Sequence, residues 1–242
     1  MYATVVLPAY NEEESIGALL REIRNALDQL PVREIILVDD GSSDATAARA
    51  MAEWKGVNST LRIIRHVRRL GQSRALLTGI RAASQDLIVT LDADGQNDPA
   101  DFGKLFATYS ARQARYPRLL VAGQRARRED SLVRRLSSRI ANGVRASILN
   151  DNVRDTGCSL KLFRREDFLA LPFFDHIHRF IPAMMKASGV AIALVEVSHR
   201  PRKAGRSKYG LWDRLWVGIH DLIGVQWLIR RQISNVELED VL

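Results

Sequence analysis

Residues 87–99 read LIVTLDADGQNDP. Leu87 to Leu91 is an apolar, β-branched run of strand length, and it stops abruptly at Asp92-Ala93-Asp94. Two carboxylates one residue apart, just past a buried strand, can converge on a hard divalent cation, with Gln96 adding a neutral oxygen ligand. Asp98-Pro99 then reads as a helix start, because proline suits the first helical position. Taken alone, the same Asp-x-Asp also fits a solvated turn whose aspartates cap the following helix, so the flanking sequence has to decide.

Working outward, the pattern repeats. Thr4 to Leu7 is a β-branched and apolar run ending at Pro8, followed by Tyr10-Asn11-Glu12. Asn11 with Glu14 reads as a helix cap with an acidic third position. Ile16, Leu19, Leu20, Ile23 and Leu27 then recur at helical spacing. Ile35 to Val38 is a second buried strand, stopped by Asp39-Asp40-Gly41, and Ser43 to Trp54 reads as an Ala-rich helix. Leu61 to Ile64 is a third strand, Gln72 to Ala83 a helix, and Leu119 to Ala122 a fifth strand after the one at 87–91. Strands alternating with helices of about a dozen residues predict an α/β fold with a doubly wound, mostly parallel sheet. Ligands of such sheets bind beyond the carboxyl ends of the strands. Three predicted strands end there in polar residues: Tyr10-Asn11-Glu12, Asp39-Asp40 and Asp92-Ala93-Asp94.

Composition narrows the partners. The chain has 242 residues, 46% apolar and 26% charged, which suits one globular domain and excludes disorder. The single cysteine, Cys158, excludes an intramolecular disulfide and reads as a small packed residue. The five histidines show no ligand spacing. The first residues lack a basic stretch followed by a long apolar region, which together with the cysteine count predicts a reducing cytosolic setting. No stretch approaches the roughly 18 apolar residues of a membrane span. A net charge of +8 favours anionic partners such as nucleotide phosphates or an acidic lipid surface. Nucleic acid is not expected, since the basic residues lack interleaved aromatic side chains for stacking.

The segments VVLPAYNEEESI (5–16), IILVDDGSSDAT (35–46) and VTLDADGQNDP (89–99) together resemble the nucleotide-sugar domain of family 2 glycosyltransferases with the GT-A fold. VAGQR (121–125), RRLSSRIAN (134–142), DTGCSLKLFRRE (155–166) and RPRKAGRSKYG (200–210) resemble the dolichyl- and polyprenyl-phosphate sugar synthases within that family. The resemblance covers nearly all of residues 3–210. It implies an inverting, metal-dependent transfer of a sugar from a nucleoside diphosphate onto a polyprenyl phosphate. By position it places Pro8, Tyr10, Glu12, Val38, Asp40, Asp92, Ala93, Arg125, Arg202 and Lys208 around the nucleotide sugar. It assigns Asp92, Asp94 and Gln96 to Mg2+ or Mn2+, and Asp94 and Asp155 to catalysis, Asp155 beside the donor sugar. Arg134, Arg135, Ser138 and Ser207 fall at lipid-phosphate positions. Two departures stand out: Lys161 where the family often has arginine, and Arg69-Leu70-Gly71-Gln72-Ser73 where it often has Asn-x-Gly-Lys-Gly.

The basic residues also have a logic of their own. Arg125, Arg127, Arg128, Arg134, Arg135 and Arg139 crowd a short interval. Planar guanidinium groups grip phosphate in bidentate fashion. A phosphate acceptor is already ionised at neutral pH, so it needs positioning more than a general base. The 200–210 segment reads as a basic loop able to close over a diphosphate. Trp212, Leu215, Trp216, Ile219, Leu222, Ile223 and Trp227 follow helical spacing with arginines nearby, which fits a helix at a membrane interface, a core-packing helix, or one with a face for each. The expected layout is a GT-A domain over 1–210, with a nucleotide-sugar half (1–124) and an acceptor half (125–210), then an amphipathic segment and tail over 211–242. Such a protein would sit on the inner face of the membrane, held by lipid or by an integral membrane protein. Two alternatives stay open: transfer to a glycan hydroxyl, and a nucleotide-binding protein without turnover.

Overall fold

The computed structural model describes residues 1–27, 30–54, 60–125, 149, 153, 155–201 and 211–231, with backbone alone for 211–217. The strands are β1 (Ala3–Ala9), β2 (Val32–Asp39), β3 (Thr60–Arg65), β4 (Leu87–Thr90), β5 (Leu119–Arg125), β6 (Lys161–Arg164) and β7 (Ala191–Val197). They form one sheet in the order β3-β2-β1-β4-β6-β5-β7. β1 pairs in parallel with β2 and β4, β2 with β3, and β5 with β7. β6 runs antiparallel between β4 and β5. The helices are α1 (Ile16–Leu27), α2 (Thr46–Glu53), α3 (Gln72–Ala82), α4 (Phe102–Arg112), α5 (Arg165–Leu169), α6 (Ile181–Ala187) and α7 (Leu211–Arg231).

Both faces of the sheet are covered, which is why the central strands read as continuous apolar runs rather than alternating ones. Val5, Leu7, Ile35 and Leu37 enter one core with Leu19, Leu20 and Ile23 of α1 and Phe102 and Leu105 of α4. Val6, Ile36 and Val38 enter a second core with Leu76 and Ile80 of α3 and Met184 and Met185 of α6. α3 lies close against β1 because Gly79 has no side chain; a Cβ there would collide with Val6 Cγ1.

The predicted alternation is present, with local differences. Asn11 does not cap α1. Its backbone is left-handed, with φ of 54°, and its side chain accepts a bond from the Ser43 amide at 2.9 Å. α1 begins later, at Ile16, after the Ile16 amide has bonded to the Glu12 carbonyl. α2 begins at Thr46 rather than Ser43, because Asp44 folds back to accept from the Thr46 amide at 3.0 Å. Asp98 does cap the next helical turn, accepting from the Ala100 amide with Pro99 at the first position. β6 and β7, which the pattern did not announce, come from beyond residue 125 and join the same sheet as β4 and β5. Cys158 is a buried free thiol in the first core.

Candidate active site

The polar strand ends meet at one edge of the sheet. Pro8 of β1 lies in register with Val38 of β2, so the loops that follow them leave side by side. Hydrogen bonds knit these loops together. The Asn11 amide donates to Ser42 Oγ, the Glu12 amide to Thr46 Oγ1 and the Glu13 amide to Asp44. Gly41 turns the second loop with φ of 74°, and a Cβ there would lie 2.7 Å from the Arg68 carbonyl carbon. The Ser15 hydroxyl joins this pair to the β4 end. It lies within hydrogen-bond distance of the Glu12 carboxylate (3.0 Å) and the buried Ala93 carbonyl (2.8 Å).

Asp40 is more committed than its place in the sequence suggests. It is 3% exposed, and its carboxylate accepts the Leu70 and Gly71 amides, each at 2.8 Å. His66 Nδ1 lies 2.7 Å from the same carboxylate. Asp40 therefore clamps the loop before α3, and that loop places the Arg69 guanidinium 4.4 Å over the Tyr10 ring. Tyr10 is half-buried beneath it, a flat surface at the mouth of the β1–β2 cleft.

Asp92, Asp94 and Gln96 follow β4 as expected. The Asp92 amide donates to Ser159 Oγ at 3.0 Å, and Asp92 Oδ1 accepts from Gln72 Nε2 at 2.7 Å. Burial and the neighbouring Asp94 charge push the Asp92 carboxyl up to about 6. Two like-charged acids held together in this way gain from a bound cation. Among the described residues no cluster of three acidic, histidine or cysteine side chains forms a closed metal cage. Two carboxylates and an amide oxygen suit Mg2+ or Mn2+, which bind a few protein ligands and complete their shell with water and phosphate.

At the end of β5, Arg125 forms a bidentate pair with Asp155, with Nε to Oδ2 at 2.5 Å and Nη2 to Oδ1 at 2.6 Å. Behind Asp92 and Gln96 lies a cavity of about 400 Å3. Its walls include Gln72 and Leu76 of α3, Thr156, Gly157 and Ser159 of the loop before β6, Lys161 of β6, and His178, Arg179 and Ile181. Of these, Gln72 and Lys161 stand out in the sequence only as departures from the family pattern, and His178 shows no ligand spacing. Arg134, Arg135, Ser138, Arg202, Ser207 and Lys208 lie outside the described residues, as do Arg127, Arg128 and Arg139. The approach to the 200–210 segment is nevertheless fixed. The Arg200 amide donates to the Gln96 carbonyl at 2.8 Å, and the Arg200 side chain bridges Glu22 and Asp98. The basic segment thus begins beside the Asp92–Gln96 motif.

The model of the family described as Glycosyl transferase family 2 matches residues 4–171. The chain belongs to that family. Among curated relatives, this glycosyltransferase is 36% identical over 232 residues to dodecaprenyl-phosphate galacturonate synthase of Rhizobium johnstonii, covering 94% of this chain and 67% of the relative. It is also 36% identical over 221 residues to undecaprenyl-phosphate 4-deoxy-4-formamido-L-arabinose transferase of Serratia proteamaculans, covering 91% and 66%. The glycosyltransferase therefore spans about two thirds of the length of these relatives. Its fold is the GT-A arrangement. Glucosyl-3-phosphoglycerate synthase from Mycobacterium tuberculosis, solved with Mg2+ and UDP, superposes with a TM-score of 0.70 at 22% identity, covering 94% of this chain and 79% of that one. The same enzyme has been solved with Mn2+, UDP-glucose and glycerol 3-phosphate, at a TM-score of 0.67 and 23% identity, with the same coverage.

Proposed function

We propose that this glycosyltransferase moves a sugar from a nucleoside-diphosphate sugar to a polyprenyl phosphate, with inversion, at the inner face of the membrane. The observation that carries this reading is the convergence of the three polar strand ends. Tyr10 and Glu12, the Asp40-clamped loop and Asp92-Ala93-Asp94 are hydrogen-bonded into a single cleft. Pro8 and Val38 form the cleft's floor, Tyr10 offers a ring to the base, and Glu12 offers a carboxylate to base or ribose. Asp92, Asp94 and Gln96 hold Mg2+ or Mn2+, which when bound neutralises charge on the departing diphosphate.

The relatives' names support a polyprenyl-phosphate acceptor. So does the arginine density of residues 125–139. An acceptor phosphate oxygen attacks the anomeric carbon opposite the nucleoside diphosphate. As the new carbon–oxygen bond forms, the old one breaks and its electrons leave with the diphosphate. The acceptor is already ionised, so no strong base is required. Asp155, held by Arg125, suits an orienting or charge-stabilising role better than proton removal. Arg134, Arg135 and Ser138 are proposed to receive the acceptor phosphate, and Arg202, Ser207 and Lys208 to close over the site from their anchor at Arg200. α7 supplies contact with an acidic lipid surface.

The test is transfer from a panel of nucleoside-diphosphate sugars to a short polyprenyl phosphate, with Mg2+, with Mn2+ and with chelator. Metal-dependent formation of an inverted sugar-phosphate lipid is expected. Transfer to glycan hydroxyls but not to the lipid phosphate would overturn the acceptor assignment.

A further inference from the structure

Among the described residues, the walls of the cavity behind Asp92 carry two basic side chains, Lys161 and Arg179, and one carboxylate. Lys161 sits on β6 between Thr90 of β4 and Ala122 of β5, and is 3% exposed. Its ammonium donates to the Cys158 carbonyl, its one hydrogen-bond partner among the described residues. An ammonium has three N–H donors, so two remain for whatever enters the cavity. Arg179, an exposed residue, lines the same space, and its side chain has no hydrogen-bond or ion-pair partner among the described residues. His178, between them in sequence, hydrogen-bonds Ser73 Oγ at 2.8 Å. Among the described residues, the one carboxylate on the cavity wall is Asp92, which already receives Gln72 and which the proposed function gives to the metal.

A buried cation without a paired anion is costly unless a ligand supplies the anion. We infer that this cavity is the donor-sugar subsite and that Lys161 and Arg179 select a sugar bearing a carboxylate, a hexuronic acid. This inference rests on the proposed function, since it takes the donor diphosphate to lie at Asp92, Asp94 and Gln96. The group attached to that diphosphate and reaching past Asp92 into the cavity is then the sugar itself. Thr156, Gly157 and Ser159 offer hydroxyl and backbone groups for its remaining oxygens. A charge-assisted bond from Lys161 to a carboxylate is stronger than one to a neutral hydroxyl.

The full chain is titrated, with Mg2+ present, against matched pairs: UDP-glucuronate and UDP-glucose, UDP-galacturonate and UDP-galactose, GDP-mannuronate and GDP-mannose. For at least one pair the uronate is expected to bind about tenfold or more tightly than its neutral partner. Lys161→Met should shrink that ratio to about twofold, while Lys161→Arg keeps most of it. Arg179→Gln, at an exposed position that folding tolerates, should cut the ratio about threefold and serves if Lys161→Met does not fold. The inference is overturned if no uronate is preferred, if the ratio survives in the folded variants, or if the loss appears in the KM for polyprenyl phosphate instead. The last outcome would assign these cations to the acceptor phosphate. A persistent uronate preference with no transfer to polyprenyl phosphate from any donor would keep this subsite and remove the proposed function.

Discussion

At the scale of single residues, the chemistry turns on groups held away from their ordinary protonation. Asp92 is raised to about 6 by burial and by Asp94, so the pair is electrostatically uncomfortable without a cation. Asp94→Asn removes one of the proposed ligands and also relieves its neighbour. Its melting temperature should match or exceed the parent's. Transfer should fall on the order of 10²–10³-fold, from several kcal/mol of lost charge stabilisation. A folded Asp94→Asn protein with near-parental transfer would remove the metal assignment. His178 is displaced in the opposite sense. Burial, then Arg179, Lys161 and His176, push it down to about 3 from 6.5. The unfolded chain therefore binds a proton that the folded chain refuses between those two values. The stability carried by neutral His178 is complete above pH 6.5 and is lost as pH falls towards 3. Between pH 7 and pH 5 the parent should lose about 1–2 kcal/mol more than His178→Asn. Urea unfolding of both proteins at the two pH values measures this, and the comparison cancels the contrary effect of Asp92. Parallel losses would mean that His178 titrates normally.

At the scale of elements, the site is built by loops that brace one another. Asp40 ends the β2 side of the cleft and holds the Leu70 and Gly71 amides and His66. Asp40→Ala strands two amides, and should cost about 2–4 kcal/mol in denaturant unfolding. It should also weaken nucleoside-diphosphate binding, because Arg69 loses its support over Tyr10. Unchanged nucleotide affinity in a folded Asp40→Ala protein would separate this clamp from the donor site. These contacts also mark what the sequence displayed and what it hid. β1, β2 and β4 were legible because apolar runs buried on both faces end in polar residues that have no place inside. Asn11 misled because the N-cap spacing with Glu14 is local, whereas its real partners, Ser42 and Ser43, lie about thirty residues away. β6 is four residues long with a basic residue at each end, and only its place between β4 and β5 makes it a strand. The cavity was illegible for the same reason. Gln72, Lys161 and Arg179 meet only once β6 is inserted into the sheet, and no spacing along the chain records that.

At the scale of the whole molecule, the two faces of α7 bear on how the enzyme would meet the lipid acceptor proposed for it. Val225 is buried, and Leu222, Leu228 and Ile229 pack against the second core, while His176 Nδ1 lies 2.8 Å from Asp221. The other face leaves Ile219, Ile223 and Trp227 exposed at 40%, 61% and 59%, at successive fourth positions, with Arg230 and Arg231 at the end. The packing role is therefore present on one side, and the opposite side carries the apolar stripe that an interfacial role would use; the side chains of Trp212 and Trp216 lie outside the described residues. No described helix is long and apolar enough to cross a membrane. The exposed stripe fits a helix lying in the interface with its basic end near anionic headgroups. Each basic residue near such a leaflet adds about 1 kcal/mol, a contribution that salt weakens. Each large apolar side chain inserted adds about 1.5–3 kcal/mol, a contribution that salt leaves in place. The parent protein should therefore sediment with acidic, protein-free liposomes and be released in large part at high salt. Ile223→Ser with Trp227→Ser changes two exposed positions, so folding should be preserved. Liposome partitioning should fall about 10²-fold or more. Donor affinity should stay at the parental value, because neither Ile223 nor Trp227 is among the described residues that line the cavity. If the double variant still sediments like the parent, the anchor lies on another face. If the parent ignores protein-free liposomes yet pellets with native membranes, an integral membrane protein supplies the attachment, and the stripe on α7 becomes the first surface on which to map it.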